Sequence, residues 1–281
     1  MTASHPALAL DWLGACRRAA EGLRSVLRDH PTSRERVVET GDRGGGGDLT
    51  LVIDAEAEGH VFAELQRLYD EGARFTAVFE ERGVVDFGDP NVLVIVDPID
   101  GSVNAKRGLP YHALSIAVAD GPTMADVAFG YVCDLGGEEW HAVRGEGAYL
   151  NGRPIVDPPP ERRAPDGRLE VVALEMARPR HLARCSEQLI AAVQRVRVIG
   201  SLSISLCQVA AARVDGAVSL MGTRAVDTAA AQLIVRESGG HVAFVGADEP
   251  LAAPLDLEPR YPVVAARTAE SLERLAAVPV V

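Results

Sequence analysis

No apolar run in this chain approaches the ~20 residues needed to cross a bilayer. Its first residues carry no basic segment followed by an apolar core, so neither a membrane span nor a secretory signal is expected. The four cysteines, Cys16, Cys133, Cys185 and Cys207, form no CxxC pair and no ligand-like spacing. They read as reduced, buried thiols in a cytoplasmic setting. Positive charge is in deficit: 28 basic residues stand against 40 acidic ones, the net charge is -12, and Lys106 is the only lysine. That balance argues against nucleic acid or an anionic membrane as partner. It does not exclude an anionic substrate, because metal ions can invert the sign of a local site. There is no G-x-S-x-G, no phosphate-loop motif and no internal repeat. His112 and His141 have no Ser, Cys or second His at catalytic or ligand spacing and read as structural.

What is present is a globular composition of 281 residues, 47% hydrophobic and 24% charged, enough for one large domain or two ordinary ones. Helical spacing marks residues 7–29 and 49–69, and GDRGGGGD at 41–48 reads as a loop. Residues 75–81 and 91–97 read as strands; the second, NVLVIVD, is apolar throughout, as in a strand covered on both faces. Three antiparallel strands are expected at 113–120, 126–134 and 138–145. The stretch DPPPERRAPDGR at 157–168 marks a boundary between halves 1–156 and 157–281. Beyond it strands (LEVVAL, RVRVIG, VDGAVSL) alternate with helices near 181–194, at 201–213 with Ser201 as N-cap, and at 226–240 with a Gly-Gly stop. Layered helices and sheets, an α/β (α+β layered) class, follow from that order.

Acidic residues recur at the ends of these elements: Asp54, Glu80 with Glu81, Asp97 with Asp100, and Asp227. Strand ends and helix starts are where open sheets place ligand sites. Singly, each has a plain structural explanation, such as a helix-dipole charge for Asp227. DPIDGS at 97–102 is harder to explain so, because two carboxylates emerge together from an apolar strand, each raising the cost of ionising the other. Hard oxygen ligands without His or Cys favour Mg²⁺ over zinc. Gly101 and Ser102 beside them can present backbone N–H groups to an anion. Metal ligands next to an anion cradle are the parts that phosphoryl transfer to water requires.

The motifs DLTLVID, FEERG, DPIDGS and VDTAAAQLIVRESGG, in this order, resemble the inositol monophosphatase superfamily of Mg²⁺-dependent, lithium-sensitive phosphatases. The likeness covers nearly the whole chain and looks most like the archaeal-type fructose-1,6-bisphosphatase/inositol monophosphatase branch. It implies the sugar-phosphatase fold of alternating layers (αβαβα), and homodimers. It implies Glu80, Asp97, the Ile99 carbonyl, Asp100 and Asp227 as ligands of two or three Mg²⁺ ions per site. Asp54 and Ser102 would orient and deprotonate the attacking water, with Glu81 as a further candidate. Gly101 and Ser102 would hold the phosphate, and Arg197, Gly200, Ser201 and Arg224 would lie around the sugar. The expected substrates are small polyol or sugar phosphates, inositol 1-phosphate and fructose 1,6-bisphosphate. Two alternatives are a 3′-phosphoadenosine 5′-phosphate phosphatase and a non-catalytic binder of metal or inositol phosphate. The family's WDxAAG is here VDTAAA, with Val226 and Ala231 departing, and Leu220 stands where animal members place a substrate-binding glutamate. The Gly44–Gly47 run matches the family's mobile loop.

Overall fold

The protein is described here as a computed structural model covering residues 6–43 and 49–280; Gly44–Gly47 lie outside the described residues. Helix α1 (Trp12–Asp29) opens on Asp11, whose side chain accepts from the Gly14 N–H at 2.8 Å. Its buried residues, Trp12, Ala15, Cys16, Ala19, Leu23 and Leu27 among them, recur every three or four positions and form one face. After α2 (Ser33–Arg36), strands β1 (Glu39–Arg43) and β2 (Leu49–Leu51) pair antiparallel and lead into α3 (Val52–Asp70). The helix expected from residue 49 thus begins three residues later, because Leu49–Leu51 is taken up in pairing with β1.

A seven-stranded sheet follows, in the order β3 (Phe75–Phe79), β4 (Gly83–Asp100), β5 (Ala113–Ala119), β6 (Val127–Asp134), β7 (Glu139–Val143), β8 (Gly147–Leu150) and β9 (Arg153–Pro154). Between β4 and β5 stands the short α4 (Ser102–Arg107). Strand β4 is far longer than expected. Its first part folds back on β3, with Phe79 opposite Gly83, and its second runs alongside, with Phe79 also opposite Val96. The segment after residue 145 pairs with β7 as β8.

The 157–168 stretch leads to a five-stranded sheet in the order β11-β10-β12-β14-β13. Its elements are β10 (Leu169–Glu175), α5 (Pro179–Ala192), β11 (Val193–Arg197), α6 (Leu202–Ala210), β12 (Gly216–Ser219), α7 (Ala225–Glu237), β13 (His241–Phe244), β14 (Val263–Ala266) and α8 (Ala269–Ala276).

Alternation along the strands assigns the layers. On β4 and β5, Val94, Val96, Leu114, Ile116 and Val118 pack with α1 and α3, while Ile95, Ala113, Ala117 and Ala119 join the opposite core with α6 and α7. On the second sheet, Ala173, Ala217 and Ala265 join that same central core. Val172, Leu174, Val218 and Val264 face α5 and α8. The layers therefore run α1/α3, sheet, α6/α7, sheet, α5/α8, the αβαβα order. Both faces of the first sheet are covered, which accounts for the unbroken apolar run before Asp97. Among the described residues no helix is long and apolar enough to cross a membrane.

Candidate active site

The carboxylates come together where β4 ends, beside the starts of α4, α6 and α7. The ladder between β4 and β5 is interrupted between Asp97 and Asp100, and the freed turn is closed locally as the Asp97 side chain accepts from the Ile99 N–H at 3.0 Å. Gly101 then takes a left-handed conformation, φ 87°, to start α4. A Cβ there would lie 2.8 Å from the Tyr111 carbonyl and 3.1 Å from that of Gly200, so only glycine lets these backbones meet. Across this contact Gly200 is also left-handed, φ 87°, and its missing Cβ makes room for Asn104. The Asn104 amide in turn donates to the carbonyls of Tyr111 (2.9 Å) and Ile199 (2.8 Å), tying α4 to the segment before α6.

Asp100, buried, is held by that segment. Its Oδ2 accepts from Ser201 Oγ (2.6 Å), Ser203 N (2.7 Å) and Ser203 Oγ (2.5 Å). Behind it stands Glu175, also buried, at the end of β10. It accepts from the N–H groups of Ile199 and Gly200, each at 3.0 Å, and from Ser205 Oγ at 2.6 Å. Asp227 lies in the first turn of α7 and accepts from the Arg224 N–H at 3.1 Å. Glu80, just past β3, is ion-paired to the Arg224 guanidinium. Buried Glu58 of α3 fixes the turn beyond it by accepting from Arg82 N at 3.1 Å and Arg82 Nε at 3.0 Å.

Two cavities meet here. One, of about 590 Å³, is lined by Glu80, Asp97, Asp100, Asp227, Gly200 and Arg224, among others. The other, of about 410 Å³, holds Asp54, Glu81 and Lys106, and the two share Glu80, Ile99 and Ser102. Burial and mutual repulsion push the carboxyls up. Asp227 rises to about 8, through burial and then Glu80 and Asp100. Glu80 rises to about 7, through burial despite Arg224. Asp97 lies well above the ordinary range, through burial and then Glu80, Asp100 and Asp227. Asp100 is raised by burial despite its serine donors, and burial lifts Asp54 to about 6 against the pull of Lys106.

The donor chemistry of this set suits a hard divalent cation. Every donor is an oxygen, the carboxyls destabilise one another's charge, and Asp54 Oδ1 is buried without a hydrogen-bond partner among the described residues. Among the described residues, however, no three His, Cys, Asp or Glu side chains are arranged to hold a metal ion. Arg224 engages Glu80, and Ser201 and Ser203 turn Asp100 towards themselves.

Of the residues singled out in the sequence, Glu80, Asp97, Ile99, Asp100, Gly101, Ser102, Gly200, Arg224 and Asp227 line the larger cavity, and Asp54 and Glu81 the smaller. Ser201 acts through Asp100. Arg197 is not brought in: it is exposed on the edge strand β11, its guanidinium on the Val196 carbonyl at 2.8 Å. Glu175, Ser203, Arg178, Arg260 and Lys106 belong to the site or its support, and nothing local in their sequence marked them. His141 stacks on Tyr149 at 4.7 Å, within the sheet.

The profile of the inositol monophosphatase family matches residues 11–279. A fructose-1,6-bisphosphatase/inositol-1-monophosphatase of Methanothermobacter thermautotrophicus is 29% identical over 94% of this chain and 95% of its own. The Nus factor SuhB of Haemophilus influenzae is 32% identical over 80% of this chain and 82% of its own. Among solved structures, an inositol monophosphatase–fructose 1,6-bisphosphatase superposes with a TM-score of 0.78 at 24% identity, covering 96% of this chain and 100% of that one.

Proposed function

Because the chain belongs to the inositol monophosphatase family, a family that supports a phosphatase of sugar phosphates, we propose that it is a Mg²⁺-dependent phosphomonoesterase. Its substrates in this reading are inositol 1-phosphate and fructose 1,6-bisphosphate. The observation that carries the proposal is the convergence of Glu80, Asp97, Asp100 and Asp227 on one cavity, where burial and mutual repulsion oppose their ionisation and a bound divalent cation would favour it. Glu80, Asp97, the Ile99 carbonyl, Asp100 and Asp227 would hold the ions. Divalent ions bound there supply an activated water and charge stabilisation for the leaving oxygen.

The chain's own groups do the rest. Asp54, whose Oδ1 has no partner among the described residues and whose pKa is raised, and Ser102 face one cavity with Lys106 and would orient the attacking water and take its proton. Gly101 and Ser102 offer backbone N–H groups to the phosphoryl oxygens. Arg178, Arg224 and Arg260 line the larger cavity and supply positive charge for the anionic ester. The Glu175–Ser205 network holds residues 199–203 against Asp100 and so keeps the carboxylates in register. The homodimer expected for the family and a cytoplasmic setting belong to the same reading.

One observation favours a second reading, a relative that binds its ligand without turnover: Arg224 already occupies Glu80. Phosphate release with Mg²⁺ and with EDTA separates the two. The panel is inositol 1-phosphate, fructose 1,6-bisphosphate, 3′-phosphoadenosine 5′-phosphate and glycerol 2-phosphate. Release from the first two, abolished by EDTA, is expected. Preference for the nucleotide would overturn the substrate assignment, and silence on all four would leave the non-catalytic reading.

A further inference from the structure

We propose that a cavity between the C-terminal end of α1, α2 and the loop before β5 is a binding site for a tetrahedral oxyanion of the phosphate class, either free or as the terminal phosphoryl group of a small ester. The cavity holds about 270 Å³ and is lined by Arg24, Leu27, Arg28, Arg36, His112 and Leu135. At roughly 30 Å³ per water, it admits one such anion with several waters. None of these residues lines either cavity of the carboxylate site.

Charge is the first observation. In a chain of net charge -12, three guanidinium groups meet here. Among the described residues the carboxylate that pairs with them is Glu21, 3.0 Å from Arg28 and 3.8 Å from Arg24, with its own side chain 61% exposed. Arg36 forms no ion pair among the described residues. Its three nitrogens donate to the carbonyls of His30 (2.7 Å), Ala105 (2.9 Å) and Leu27 (3.0 Å). It thereby covers carbonyls at the end of α1, which would otherwise repel an anion. Arg24 donates to Cys133 Sγ at 3.2 Å and the Leu135 carbonyl at 3.4 Å, neither of which neutralises it.

The second observation is His112. It is 9% exposed, lines the cavity, and its Nδ1 is buried with no hydrogen-bond partner among the described residues. An unsatisfied buried polar atom is costly, and native chains keep few of them. Burial favours the uncharged ring, so His112 adds a polar group and no charge to the arginine cluster. Asp134 is the acidic neighbour that opposes the effect of burial on His112. Planar guanidinium forks are the donors that oxyanions of this class select. An occupant would also bear on the active site, because Arg36 grips the Ala105 carbonyl of α4, the helix that starts at Ser102.

Calorimetric titration of the full chain in EDTA with inorganic phosphate, and separately with glycerol 2-phosphate, tests this. The ring nitrogens of His112 are followed by NMR in the same samples. Binding of either ligand with a His112 shift is expected, and the comparison says whether the anion is free or esterified. Arg28→Glu, an exposed position where folding is not at stake, should weaken binding by about tenfold or more. Arg178→Glu, in the carboxylate cavity, should leave it unchanged. No saturable binding in the wild type, or binding that survives Arg28→Glu and is lost with Arg178→Glu, overturns the site.

Discussion

Replacing Asp227 by asparagine should make the cation-free protein more stable while removing its response to Mg²⁺. Burial, then Glu80 and Asp100, lifts the Asp227 carboxyl from 3.8 to about 8. A carboxyl whose folded pKa is raised gives its full stability below its unfolded pKa and loses it as pH rises through the folded one. At pH 7 the folded chain therefore holds a proton that the unfolded chain releases, at a cost of up to about 4 kcal/mol. Asp227 keeps part of its surface open to the cavity, and solvent there trims the figure to about 2 kcal/mol. Asparagine carries no charge, and its Oδ1 can accept the same bond from the Arg224 N–H. For a chain of this length the gain corresponds to a Tm higher by about 4 °C. The assay is thermal unfolding at pH 7 in EDTA, repeated with saturating Mg²⁺. Wild type should gain stability from the ion and the variant little or none. A variant less stable than wild type in EDTA would refute the repulsion on which the site's chemistry rests.

Arg224→Gln should lower cation-free stability, because Glu80 loses its counter-charge, and should tighten Mg²⁺ binding several-fold by calorimetry. Arg178→Gln, in the same cavity but not on Glu80, is the control and should change both less. Gly200→Ala places a Cβ 2.8 Å from Asn104 Nδ2 at φ 87°. It should cost about 1–3 kcal/mol in chemical denaturation and depress turnover as Asn104 is displaced. Glu175→Ala strands the Ile199 and Gly200 N–H groups. A loss of about 2–4 kcal/mol, with phosphate release falling alongside, is expected.

The parts legible in the sequence were those whose cause is local. VLVIV announced a strand buried on both faces, and DPIDGS announced paired carboxylates at its end, where Asp97 closes locally on Ile99 two residues away. Layered helices and sheets followed from element order, and the αβαβα order of the layers from the resemblance. Supports that act across long separations left no local mark. Glu175 meets Ile199 and Ser205, and Ser203 meets Asp100 over 103 residues. Leu49–Leu51 became a strand only because β1 lies across from it, and Arg197 faced outward because β11 is a sheet edge. That Arg224 would reach Glu80, 144 residues away, no spacing rule could show.

Mn²⁺ binding, read by electron paramagnetic resonance on the wild type and on Asp97→Asn, bears most directly on the carboxylate cluster as a divalent-cation site. Saturable uptake of Mn²⁺, displaced by Mg²⁺ and lost in Asp97→Asn with the fold intact, is expected. Absence of uptake by the wild type, or uptake unchanged in the variant, would contradict it.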